Sequence, residues 1–112
     1  MQILKYKISR EDIFRISEVV LDDSMVKAVV DVGRRLVAID APMHSDLEQM
    51  MLEDGSRQED LWGINFHSDD DEFVEFDSLI NIRPRQNKHM YVDDADTRKL
   101  ILEVVDEWIS QI

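Results

Sequence analysis

A histidine and several carboxylates stand close together near the middle of the sequence. The set comprises Asp40, His44, Asp46 and Glu48. Imidazole and carboxylate groups are common ligands of divalent metal ions. Ligands that share one face of a helix are three or four residues apart, and from His44 to Glu48 only one pair, His44 and Glu48, has that spacing. We therefore expect neither a resident metal nor a cofactor.

A second polar set alternates along two predicted strands, Leu61–Phe66 and Phe73–Arg83. If these strands pair with their apolar faces together, Asn65 lies opposite Glu75 and Gly63 lies near Asp77. Carboxylates, amides and a guanidinium on one face can hold a proton, a cation or a polar substrate. A solvated sheet face produces the same alternation, and we expect that simpler explanation to hold. The candidate polar site comprises Asp31, His44, Asp46, Asn65, Glu75, Asp77, Asn81 and Arg83.

Positive charge is concentrated in one segment of this acidic chain. The candidate anion-binding residues are Arg83, Arg85 and Lys88, because Arg binds phosphate or carboxylate groups bidentately. His89 and Tyr91 follow them, and the sequence continues with several aspartates. We expect these cations to pair with their own neighbours, Asp93, Asp94 and Asp96.

The motifs of several enzyme classes are missing from the sequence. It has no Cys, no G-x-S-x-G motif and no Gly-rich phosphate loop. Nucleophile-elbow hydrolases, P-loop enzymes and Rossmann enzymes are therefore excluded by motif. The acidic run Asp69–Glu72 lacks the ligand spacing of an EF-hand, so it is predicted to be a solvated hairpin loop.

Hydrophobic periodicity predicts the elements of the first half of the chain. A short β-rich segment over residues 2–8 is followed by an amphipathic helix, which Ser9 caps and which extends to about Leu21. Alternating apolar residues then predict a central strand over Met25–Val32. A turn at Gly33 leads to its hairpin partner, Leu36–Asp40.

The second half holds a short helix, two strands and a closing helix. Ser45 and Glu48 match a capping box, which predicts a helix over Ser45–Glu53, although the Asp54-Gly55 turn signal leaves a strand over Leu47–Leu52 as an alternative. The strands that carry the polar set come next, and the second of them ends at Pro84. Aspartates then begin a C-terminal helix whose apolar stripe extends to Ile112.

These elements predict one α+β domain over residues 1–112. Its largely antiparallel sheet has about four to five strands, and the N-terminal, short middle and C-terminal helices cover one face. A chain of 112 residues and 13.2 kDa can bury an ordinary core without disulfides. The net charge of −12 opposes binding to nucleic acid or to an anionic membrane. With no apolar run of transmembrane or signal-peptide length, the sequence predicts a cytoplasmic protein.

Three segments carry a resemblance to a known family. They are Met25–Asp31 (MVKAVVD), residues 51–65 (MLEDGSRQEDLWGIN) and residues 75–84 (EFDSLINIRP). In these segments the chain resembles a family of small, single-domain prokaryotic proteins of unknown function. The resemblance extends over most of the chain and implies a shared fold. It assigns no activity, cofactor or partner.

Three hypotheses about function follow. The absence of catalytic motifs, the small size and the acidic surface favour a non-enzymatic module that binds a basic protein partner. An alternative is a small metal-dependent hydrolase or ligand-binding domain that uses the His44/Asp46 and Glu75/Asp77 clusters, together with Asp31. A third hypothesis is a homo-oligomer that forms through Trp62 and a sheet edge.

Overall fold

The computed structural model describes residues 1–68 and 71–111. Aspartates 69 and 70 of the predicted acidic loop, and Ile112 of the predicted helix stripe, lie outside the described residues. In chain order the elements are β1 (Gln2–Ile3), β2 (Ile8–Ser9), α1 (Arg10–Ile16), β3 (Met25–Asp31), β4 (Leu36–Ile39), α2 (His44–Glu53), β5 (Leu61–His67), β6 (Val74–Glu75), α3 (Ala95–Trp108) and β7 (Ile109–Ser110). Two 3-10 turns, Gln58–Asp60 and Leu79–Asn81, precede β5 and follow β6.

The main sheet has five antiparallel strands in the order β1-β4-β3-β5-β6. Strand β3 is central, as its apolar residues on both faces predict, and it pairs with β5 over their full lengths. The structure confirms the α+β class with an N-terminal, a middle and a C-terminal helix.

Helices cover both faces of this sheet, so the prediction of a single covered face is wrong. Helices α1 and α3 pack on the face that carries Val26, Ala28 and Val30 of β3. Helix α2 packs on the opposite face, against Val29 of β3 and Ala38 of β4. The apolar residues on the second face of the central hairpin must be kept from water, and α2 does so.

A second, two-stranded sheet joins segments that are far apart in the sequence. Strand β2 pairs in parallel with β7, with Ile8 beside Ile109. Two-residue strands carry no periodicity, so the sequence gives no signal of this pairing.

The two shorter helices differ from their predicted bounds. Helix α1 ends at Ile16 rather than near Leu21, and the Val19 N–H donates to the Asp40 carboxylate at 2.8 Å instead of continuing the helix. Helix α2 is a helix, as predicted, rather than a strand. It begins at His44, one residue before the predicted start, and no side chain caps it, so the predicted capping box does not form.

The predicted strand Phe73–Arg83 is wrong beyond Glu75. At the outer edge of β5, side chains bond to the backbone groups that a longer β6 would have paired. Asn81 accepts from the Gly63 N–H at 2.8 Å and donates to the Gly63 carbonyl oxygen at 2.9 Å. Arg83 then donates to the Leu61 carbonyl oxygen. A side-chain amide and a guanidinium thus satisfy backbone groups that a neighbouring strand normally pairs.

Helix α3 begins as predicted. The Asp94 side chain caps it by accepting from the Thr97 N–H at 3.0 Å. Its buried stripe includes Ile101, Val104 and Val105. None of the helices within the described residues is long and apolar enough to cross a membrane.

Candidate functional site

A groove of about 570 Å³ lies between the start of α2 and the segment that follows β6. We call it the α2–β6 groove. Neighbouring strands of the main sheet form its floor, and exposed apolar side chains form its rim. It is defined by the floor residues Lys27, Asn65 and Glu75, the wall residues His44 and Asp77, and the rim residues Met43, Leu79 and Met90.

The floor residues form one row across three strands. Lys27 of β3 lies opposite Asn65 of β5, and Asn65 lies opposite Glu75 of β6. The pairing of Asn65 with Glu75 confirms the register predicted from alternation. The expectation that this polar face is solvated is wrong at Asn65, which is only 5% exposed.

Asn65 carries an acceptor without a donor. Its Nδ2 donates to Glu75 Oε1 at 2.7 Å and to the Asp77 carbonyl oxygen at 3.2 Å. Both partners accept, so they fix the orientation of the amide. The remaining oxygen, Oδ1, is buried and has no hydrogen-bond partner among the described residues. Leaving such a group unpaired costs about 1–3 kcal/mol.

His44 forms one wall of the groove as the first residue of α2 and is buried. Its Nε2 lies 2.8 Å from the Ile64 carbonyl oxygen. A carbonyl only accepts, so Nε2 carries the proton and the other ring nitrogen of the neutral imidazole is an acceptor. Burial lowers the pKa of His44 below its usual range, and the charge of Lys27 acts in the same direction, whereas the Ile64 carbonyl and Asn65 oppose them.

Two carboxylates place negative charge in the groove. Burial raises the pKa of Asp77, and the charge of Glu75 raises it further. Glu75 Oε1 lies 3.4 Å from His67 Nε2 and also accepts from Asn65. Lys27 forms no ion pair with any residue in the described part of the chain. Both carboxylates therefore lack a paired lysine or arginine within the groove.

Two residues of the predicted polar site lie elsewhere. Asp31 is buried at the β3–β4 turn, where its carboxylate accepts from the N–H groups of Gly33 and Arg34 and from the Ser56 hydroxyl. Asp46 is exposed and lines a different cleft, beside Asp40. Among residues 1–68 and 71–111, no three His, Asp or Glu side chains are placed to hold a metal ion.

Asn81 and Arg83 are buried at the edge of β5 rather than in the groove. The Arg83 guanidinium also donates to the Gln58 carbonyl oxygen and lies 4.1 Å from the centre of the Trp62 ring. Burial lowers the pKa of Arg83 below its usual range. The guanidinium is therefore occupied by carbonyl oxygens and an aromatic face. Trp62 itself is buried, with 5% of its surface exposed.

The rest of the cationic segment is exposed. Arg85 and Lys88 both face solvent, whereas Arg83 is buried against backbone carbonyl oxygens. His89 Nδ1 lies 2.7 Å from an Asp93 carboxylate oxygen, so one member of the segment pairs locally as expected. Within the described residues, Arg83, Arg85 and Lys88 form no ion pair with Asp93, Asp94 or Asp96.

Sequence reasoning missed Lys27 and the rim of the groove. Lys27 alternates with apolar residues in β3, and pairing β3 with β5 would have placed it opposite Asn65. No periodic signal identifies the rim, because Leu79 belongs to a short 3-10 turn and Met90 to an irregular segment, and the two meet only in the folded chain.

Comparison with known proteins adds a family and no activity. A family model described as "Protein of unknown function (DUF5674)" matches residues 2–108. No curated protein and no solved structure matches the chain. The match covers nearly the whole sequence and agrees with the resemblance carried by the three segments. The chain therefore belongs to the DUF5674 family of proteins of unknown function.

Proposed function

We propose that the chain is a non-enzymatic interaction module that binds a segment of a basic protein partner in the α2–β6 groove. The observation that carries this proposal is the exposed apolar rim around a polar floor. Met43, Leu79 and Met90 expose 57%, 69% and 43% of their surfaces at the mouth of one groove. Apolar side chains grouped around polar anchors are typical of recognition sites, and Met adapts its shape to different partners.

The charge of the chain determines which partner we expect. The net charge is −12, and the groove itself contains the carboxylates of Glu75 and Asp77. A negative field accelerates the approach of a basic protein and opposes that of an acidic one. The proposal retains the expectation of a cytoplasmic setting.

The metal-dependent alternative has less support. It requires His44, Asp31 and Asp46 to act with the carboxylates of the groove. Asp31 is engaged at its own turn and Asp46 lies at another cleft. The proposed ligands therefore do not form one set.

The proposal is tested by peptide selection against matched variants. A random 12-residue peptide library is displayed and selected on the wild type, and the enriched peptides are titrated against two substitutions. Leu79→Ser removes an apolar side chain from the rim. Leu52→Ser removes an exposed leucine of α2 that does not line the groove.

Burial of a leucine side chain contributes about 1.5–3 kcal/mol, so losing Leu79 should weaken binding by about tenfold or more. We expect enrichment of basic peptides that bind Leu52→Ser normally and bind Leu79→Ser weakly, with an affinity that falls as salt rises. Enrichment of acidic peptides, or equal binding to both variants, refutes the proposal.

A further inference from the structure

We propose that the floor of the α2–β6 groove recognises the primary ammonium group of a lysine side chain of the partner. This inference rests on the proposed function, because it names the chemical group that the floor holds once a partner segment lies against the rim. Two independent observations carry it. One is the unpartnered buried oxygen of Asn65, and the other is the pair of carboxylates beside it.

The acceptor Oδ1 of Asn65 has no hydrogen-bond donor among the described residues, although its side chain lies beside the ring of His44. The Asn65 nitrogen is held by Glu75 Oε1 and by the Asp77 carbonyl oxygen, so Oδ1 cannot exchange places with Nδ2 without losing both bonds. The neutral ring of His44 offers a second acceptor, because its proton is committed to the Ile64 carbonyl oxygen. A ligand that donates hydrogen bonds fits these groups, and a ligand that only accepts does not.

The carboxylates determine the charge of that ligand. Glu75 and Asp77 both line the groove, against one cation, Lys27. An ammonium group has three N–H donors and no acceptor, which suits a groove lined by Asn65 and two carboxylates. An anion would meet two like charges.

The rim suits the rest of a lysine side chain. The four methylene groups of lysine pack on apolar surface while the charged end reaches a polar group. Met43, Leu79 and Met90 supply that apolar surface above the floor. The apolar stem and the charged end of lysine thus match the rim and the floor in that order.

Two capped peptides separate the charge from the apolar contact. The probes are acetyl-Leu-Lys-Leu-amide, whose only charge is the ammonium group, and the same peptide with norleucine in place of lysine. Each is titrated into the isotopically labelled full chain, and binding is followed by NMR at the side-chain amide of Asn65. The variants are Asp77→Asn, Lys27→Gln and, as a control on the exposed face of α3, Glu103→Gln.

We expect the lysine peptide to shift the Asn65 amide resonances and to bind about tenfold more tightly than the norleucine peptide. Asp77→Asn should reduce that preference. Lys27→Gln should strengthen binding of the lysine peptide by roughly twofold to threefold, because a repelling charge is removed. Glu103→Gln should bind like the wild type, and unchanged backbone spectra confirm that each variant is folded.

The outcomes distinguish this inference from the proposed function. Equal affinity for the two peptides overturns the ammonium site and leaves recognition by the rim standing. Weaker binding of the lysine peptide to Lys27→Gln also overturns the ammonium site, because it means that Lys27 attracts the ligand. Failure of both peptides to bind overturns the inference and the proposed function together.

Discussion

Replacing Asn81 with alanine tests whether one side-chain amide holds the edge of the main sheet. Asn81 is fully buried and pairs with both the N–H and the carbonyl oxygen of Gly63, and it also donates to the Met90 carbonyl oxygen at 3.0 Å. No neighbouring strand replaces these bonds when the amide is removed. The Gly63 backbone groups then stay buried and unpaired.

The expected loss follows from those two backbone groups. An unsatisfied buried donor or acceptor costs about 1–3 kcal/mol, and truncation to alanine also leaves a void. We expect Asn81→Ala to lower the free energy of unfolding by about 3–5 kcal/mol. The melting temperature of a domain of this size should fall by roughly 12–20 °C.

Urea denaturation and amide hydrogen exchange provide the measurement. Exchange at the Gly63 amide should accelerate more than exchange at the β5 amides that bond to β3. Asn81→Asp should destabilise at least as much, because it keeps the shape but replaces the N–H donor with an oxygen facing two carbonyl oxygens. Gln49→Ala removes an exposed amide from α2 and should change stability by less than about 0.5 kcal/mol. A loss below about 1 kcal/mol in Asn81→Ala, with Gly63 exchange unchanged, would refute the edge-capping argument.

Three further predictions concern the groove and its surroundings. Gly63→Ala would place a Cβ 2.5 Å from the Ser78 Cβ, so it should destabilise the domain by about 1–3 kcal/mol in thermal denaturation, and an unchanged melting temperature would contradict this close approach. Asp77→Asn should raise the melting temperature at pH 7, because burial and the charge of Glu75 raise the pKa of Asp77 and disfavour its ionised form in the folded state. This gain should shrink as the pH falls through the folded-state pKa, and a melting temperature below that of the wild type at pH 7 would count against it. The wild type should lose stability as the pH falls below about 6.5, because the lowered pKa of folded His44 means that the unfolded chain takes up a proton more readily. His44→Gln should lack this part of the pH dependence. Parallel curves of stability against pH for the two proteins would contradict the prediction.

The central sheet could be predicted because the alternation of apolar and polar residues in its strands indicates which side chains are buried. Alternation along β3 and β5 placed apolar side chains inward, and the facing pair Asn65 and Glu75 followed from it. The same alternation failed beyond Glu75. Asn81 and Arg83 occupy positions that a strand would also fill, and periodicity does not distinguish a strand from side chains that cap its neighbour.

The candidate site was predictable only in part. Asn65 and Glu75 of the polar floor were visible because they belong to regular strands, whereas Lys27 was missed. The rim depends on segments that meet only in the folded chain. His44, a wall residue, is the first residue of α2, which starts one residue before the predicted helix. Asp31 and Asp46 have suitable chemistry for a site, but the β3–β4 turn and the exposed face of α2 direct them elsewhere.

The parallel pairing of β2 with β7 sets an order for folding during synthesis. Strand β2 leaves the ribosome early, but its partner emerges only after α3. Pairing β2 with β7 closes a loop of nearly the whole chain, which has an entropic cost, so this pairing forms late. Until then Ile8 lacks the neighbouring Ile109, and apolar surface beside α1 stays open to other proteins. Nascent chains stalled before residue 109 should therefore be bound by chaperones, and release should follow once β7 has emerged.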